Sequence, residues 1–270
     1  MFAQIRHIAS ISQNYATAGK FYEAVFGMRT SSEERSHRAV TVGDGYVGYN
    51  INPRKTGRPA RLDHFGIEVE DVDTVLDRLR TKYPEVEWLQ RPSTRPFAGL
   101  TTHDPDGNVF DLSQASMANR RNLYVEEHNL HPQHISHFAL RTLNPAKVAT
   151  FYRDIFEFEL RNSQPGDRNY YVSDGHITIV IMPWHITDYD GTGIVSASLD
   201  HIGFKVENLE AFKANFEKVT RDNPTLRPYP VSGTAELEAR LGLARRSCPL
   251  CEFHLADIDG ILLSASERAA

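Results

Sequence analysis

Asp63-His64-Phe65-Gly66-Ile67-Glu68-Val69-Glu70-Asp71 places Phe65, Ile67 and Val69 on one side of an extended chain and His64, Gly66 and Glu68 on the other. Successive side chains of a strand point to opposite faces, so this stretch reads as a strand with one apolar and one polar face. The pattern recurs three times, at Arg6-His7-Ile8-Ala9, Ser136-His137-Phe138-Ala139-Leu140 and Asp200-His201-Ile202-Gly203-Phe204. Each copy puts a histidine on the polar face two residues before a Gly or Ala. A small residue there leaves space beside the imidazole, which suits a ligand cavity better than a filled core.

Each strand runs into a helical stretch. Lys20-Phe21-Tyr22-Glu23-Ala24-Val25-Phe26 and Thr150-Phe151-Tyr152-Arg153-Asp154-Ile155-Phe156 follow the first and third copies. Amphipathic runs follow the second and fourth, with Asp71 and Asn208 as predicted N-caps whose side-chain oxygens accept the first free backbone N–H groups. Each copy closes on a hairpin signal and a strand: Gly43-Asp44-Gly45, Asp106-Gly107, Asp174-Gly175 and Asp259-Gly260 each precede a strand-like run. Asp-Gly marks such turns because they need positive φ.

The fold class this predicts is α+β, built of four βαβββ modules. Such a unit buries its core only against a neighbour, so the modules pair into two domains. The first domain covers 1–115 (modules 1–54 and 61–115) and the second 134–266 (modules 134–184 and 198–266). The polar stretch between Ala115 and Gln133 reads as the connector.

The 270 residues are 40% hydrophobic and 24% charged, with a formal charge of -5. No basic patch marks a nucleic-acid partner. No apolar run approaches the ~20 residues that span a bilayer, and no charged leader precedes an apolar core, so a cytoplasmic protein without a membrane partner is expected. Cys248 and Cys251 form a C-x-x-C pair. A structural zinc site needs four ligands and usually a second pair; no second cysteine pair exists, so two reduced thiols in or near a strand are expected.

The H-[IF]-x-[LIF] strands, the F-Y-x-x-[VI]-F helices and Asp104-Pro105-Asp106-Gly107-Asn108-Val109-Phe110-Asp111-Leu112 together resemble the vicinal-oxygen-chelate superfamily of glyoxalases, bleomycin resistance proteins and extradiol dioxygenases. The likeness covers nearly the whole chain. It implies two curved-sheet, cupped-barrel domains of paired modules and a divalent metal held in a cup, with two ligands from first strands and a carboxylate from a last strand. Carried over, these are His7, His64 and Asp111, although the family usually has Glu at the last position. Two imidazoles and a carboxylate suit Fe(II) first, and also Mn(II) or Zn(II). His103 is the candidate acid/base and Tyr49 a candidate substrate-orienting residue on the first module's last strand.

In two-domain extradiol dioxygenases the C-terminal pair of modules holds the iron. Here that pair offers His137 and His201, with Ser264 at the carboxylate position, and His176 and His254 as further members of a second, weaker candidate site. The resemblance implies a metal-dependent, extradiol-type ring-cleaving dioxygenase acting on a catechol-like or other vicinal-oxygen small molecule, in chains that pair into homo-oligomers. Two alternatives share the cup: a glyoxalase-like lyase, isomerase or thiol transferase, and a non-catalytic small-molecule-binding protein. Trp88, Trp184, Phe97 and Tyr171 are aromatic candidates for the cup wall, though core packing is the commoner use of each.

Overall fold

The computed structural model describes residues 2–30, 39–120, 124–127, 131–161, 165–230 and 232–268. The first histidine strand, β1 (Ala3–Ser12), leads into helix α1 (Tyr15–Phe26), strands β2 (Arg29–Thr30), β3 (Val40–Gly43) and β4 (Gly48–Pro53). The second module repeats the order with β5 (Arg61–Val69), α2 (Val72–Lys82), β6 (Trp88–Gln90), β7 (Leu100–His103) and β8 (Val109–Gln114). The third contains β9 (His134–Thr142), α3 (Pro145–Phe156), β10 (Glu159–Arg161), β11 (Tyr170–Ser173) and β12 (Thr178–Pro183). Asp71 and Asn208 cap their helices as expected, accepting from the N–H groups of Asp73 and Ala211.

The fourth module departs from its siblings. It holds β13 (Ser198–Lys205), α4 (Leu209–Asp222), a second helix α5 (Ala235–Ser247), β14 (Phe253–Ala256) and β15 (Leu262–Ser266). Among the described residues α5 takes the place of the outermost strand. The two sheets therefore run β2-β3-β4-β1-β5-β8-β7-β6 and β10-β11-β12-β9-β13-β15-β14. In each, the two first strands pair antiparallel at the centre, β1 with β5 and β9 with β13.

The apolar faces of both sheets and all four repeat helices enclose one core. Phe26 stacks on Phe204 at 3.8 Å and Phe65 lies 4.9 Å from Phe138. The halves meet through reciprocal hydrogen bonds: Ile5 N–H donates to Asp174 and Ile135 N–H to Asp44, both at 2.7 Å. Likewise the Tyr22 hydroxyl donates to Asp257 at 3.0 Å and that of Tyr152 to Asp104 at 3.1 Å. Thus the Asp-Gly turns, whose glycines carry φ between 84° and 97°, also tie one half to the other. With the apolar faces committed inward, the polar, histidine-bearing faces turn outward. No helix among the described residues is long and apolar enough to cross a membrane.

Candidate metal centre

Strand register decides which side chains meet in the first cup. Gly66 of β5 pairs with His7 of β1 and with Asp111 of β8, and His64, two residues before Gly66, shares its face. The three side chains converge. His64 Nε2 lies 3.4 Å from His7 Nε2 and 3.3 Å from Asp111 Oδ2. A divalent ion about 2.1 Å from each donor requires donors about 3 Å apart on one octahedral face, so this set fits a metal. All three residues are buried.

Neighbouring groups aim each donor. His64 Nδ1–H donates to Asp63 Oδ2 at 2.9 Å, and Asp63 is held by Arg58 at 2.5 Å; this turns Nε2 into the cup, as a carboxylate behind a ligating histidine does. Thr101 Oγ1 donates to Asp111 Oδ1 at 2.5 Å, leaving Oδ2 toward the histidines, and Arg95 approaches Oδ2 at 3.4 Å. Burial opposes charge on His64, yet hydrogen bonds to Asp111 and Asp63 push it up to about 9. Burial likewise opposes ionisation of Asp111, but His64, Thr101 and His7 hold it well below the carboxylate range.

The cup opens into a cavity of about 390 Å³ whose wall includes Asn50, Lys55, Arg58, Arg95, Phe97 and Tyr124. Phe97 has φ 67°, a strained value for a non-glycine residue, and is fixed there by its N–H to Asn119 O at 3.0 Å. Asn119 also donates to the carbonyls of Arg95 and Ala98. The stretch expected to be a mere connector thus builds the wall: Asn119 pins the Phe97 loop, and Tyr124 lies over Gly43 and Gly48, where any Cβ would collide with its ring. Residues 121–123 and 128–130 of that stretch lie outside the described residues.

Two expected participants are elsewhere. Tyr49 pairs with Ile8 and faces the core, its ring edge-on to Tyr22 at 4.7 Å. The last-strand position facing the cup is Asn50, paired with Ala9 as Asp111 is with Gly66; a one-residue slip changes the face. The alternation Gly48, Asn50, Asn52 against Tyr49, Ile51 carried that signal. His103 accepts from Glu87 N–H at 3.2 Å through Nε2 and meets the Asp104 carbonyl through Nδ1. It does not line the cavity. Of the four aromatic candidates, only Phe97 does.

The second cup differs. Ser264 sits opposite Gly203 and Val180 opposite Ala139, the positions that Asp111 and Asn50 hold in the first. His176 is exposed and stacks on Tyr46 at the junction of the halves, so it is not part of this site. His254 pairs with Ser264, but the groups meeting His137 and His201 within 4.8 Å are Cys248 and Cys251. The pair missing from the cysteine motif is therefore a pair of histidines, the farther of them 114 residues before Cys251, beyond the reach of local spacing.

Comparison with known proteins agrees with this architecture. The family model described as Glyoxalase/Bleomycin resistance protein/Dioxygenase superfamily matches residues 4–112 and 134–263. A manganese-dependent 2,3-dihydroxybiphenyl 1,2-dioxygenase of Geobacillus genomosp. 3 is 22% identical over 174 residues, 59% of this chain and 55% of the relative, so the match spans about half that protein. The Mn(II)-bound glyoxalase from Novosphingobium aromaticivorans superposes with a TM-score of 0.64 at 13% identity, covering 98% of this chain and 82% of that one. The 2,2',3-trihydroxybiphenyl 1,2-dioxygenase from Sphingomonas wittichii strain RW1 gives 0.59 at 14% identity, covering 98% and 90%. At these identities the structural likeness is one of fold.

Proposed function

The chain belongs to the Glyoxalase/Bleomycin resistance protein/Dioxygenase superfamily, and from that premise we propose that it is an extradiol-type dioxygenase whose divalent metal is held by His7, His64 and Asp111. The observation that carries this reading is the convergence of those three donors below an open cavity, with Asn50 at the fourth register position. The Asn50 amide is already engaged, accepting from Thr41 and donating to Asn52, so one face of the octahedron is left for exogenous ligands. Fe(II) or Mn(II) there would supply Lewis acidity toward two adjacent substrate oxygens.

The chain's own groups do the rest. Phe97 and Tyr124 offer apolar walls to an aromatic ring, and Lys55, Arg58 and Arg95 line the cavity with positive charge that favours an ionised hydroxyl or an acidic substituent. Asp63 holds one His64 proton on Nδ1 and so presents Nε2 to an ion, which would displace the proton that Nε2 otherwise shares with Asp111. The acid/base place expected for His103 is empty of histidine: among the described residues, His7 and His64 are the only ones lining the cavity. A glyoxalase-like proton transfer is the second reading, favoured by the Asn50 amide at the place where a fourth ligand would stand.

Oxygen-electrode assays of Fe(II)- and Mn(II)-loaded protein on a panel of catechols separate the two. The dioxygenase reading predicts stoichiometric oxygen consumption with a ring-cleaved product. Metal binding without oxygen uptake on any catechol would overturn it.

A further inference from the structure

The second cup is closed by its own chain. In chain order helix α5 stands where the second module has its edge strand β6, and its Leu243 and Ala244, followed by Cys248, are buried. The turn after it, with Cys251 N–H donating to Cys248 O at 3.4 Å, delivers both sulfurs to the polar faces of β9 and β13. His137, His201, Cys248 and Cys251 then present one ligand atom each within 4.8 Å of one another. We infer that these four residues form a tetrahedral zinc site, closed and structural, in the cup whose carboxylate has become Ser264.

Distances agree with that geometry. Cys251 Sγ lies 3.4 Å from His201 Nε2 and 4.0 Å from His137 Nε2. Tetrahedral bonds of about 2.3 Å to sulfur and about 2.05 Å to nitrogen put S and N about 3.6 Å apart. The donor set is soft and complete, two thiolates and two imidazoles, which selects zinc over the hard ions favoured by carboxylates. Two thiolates also neutralise the ion, so a buried site carries no net charge.

The surroundings are built for it. His201 Nδ1–H donates to Asp200 at 2.7 Å, and Asp200 is clamped by Arg141 at 2.7 Å and Arg240 at 2.9 Å. His137 Nδ1 is engaged by Ser136 at 3.1 Å. Both imidazoles thus turn Nε2 toward the sulfurs, the arrangement that fixes tautomer and orientation of ligating histidines. The His137 ring lies so close over Gly203 that a Cβ there would fall 1.9 Å from Cε1. An ion joining the α5–β14 turn to β9 and β13 fastens the end of the helix over the cup, beside the Arg240–Asp200 ion pair and the Arg141–Ser247 hydrogen bond.

Cobalt(II) substitution tests this independently of the first cup and of any activity. Wild-type protein stripped of metal and titrated with Co(II) should show intense near-ultraviolet thiolate charge-transfer bands and the visible bands of a tetrahedral centre. Asp111→Ala should retain them, while Cys248→Ser/Cys251→Ser loses them together with one equivalent of bound zinc. Absence of the charge-transfer bands in reduced, folded wild-type protein would overturn the site, whatever the variants do. So would their persistence in the double cysteine variant.

Discussion

Phe97 lies flat on the imidazole of His7, ring centroids 4.7 Å apart and planes inclined by 21°. The contact exists because Gly66 has no side chain: a Cβ there would fall 2.4 Å from Phe97 Cε1 and 3.0 Å from His7 Cβ. One glycine therefore sets both the pose of a candidate ligand and the wall above it.

Gly66→Ala should push Phe97 off His7 and disturb the donor set. Overpacking of this kind costs about 1–3 kcal/mol, and Mn(II) affinity should fall with it. Urea unfolding and Mn(II) titration of the variant check this; wild-type values for both would show that the close approach is immaterial.

Asp63→Asn leaves the cavity volume unchanged but removes the carboxylate behind His64. Loss of such a group typically weakens metal binding about 10–100-fold. Competition titration against a fluorescent chelator measures it. Undiminished affinity would mean that Asp63 serves only its ion pair with Arg58.

Asp257 supplies a pH dependence remote from either cup. Burial at the junction of the halves pushes it up to about 7, against hydrogen bonds from Ile261 and Asp259 N–H and with the Asp259 charge adding to the rise. The folded state thus keeps a proton that the unfolded chain, with a carboxyl near about 3.9, gives up. Stability from this group is complete below about pH 4 and is lost as pH climbs toward 7, by up to about 4 kcal/mol. Asp257→Asn should flatten that decline, so the variant gains on wild type between about pH 5 and 8. Parallel urea-unfolding profiles for the two proteins would contradict it.

Much of this arrangement was legible in the residues. Period-two alternation put all four histidines on polar faces, and the Asp-Gly endings placed Asp111 and Ser264 at matching positions. Tyr49 stands one residue from the cup-facing Asn50, a shift that the resemblance does not resolve but the alternation of Tyr49 and Ile51 against Asn50 and Asn52 does. The Asn119 and Tyr124 wall was invisible, since a polar stretch carries no periodicity to show what it covers. Cys248 and Cys251 read as an orphan pair because their partners come from β9 and β13, and only tertiary pairing brings them together. Helix α5, by contrast, is marked locally by its Ala, Leu, Glu and Arg, the Thr234 cap, and acidic first and basic last turns, although the repeat pattern predicts a strand there.

Electron paramagnetic resonance of Mn(II) is the most direct test of the first cup, because Mn(II) favours the oxygen-containing donor set and ignores the thiolates. Metal-free wild-type protein should take up a single equivalent that broadens the free-ion signal, and Asp111→Ala, still folded, should take up none. Equal binding by the two proteins would contradict a metal held by His7, His64 and Asp111.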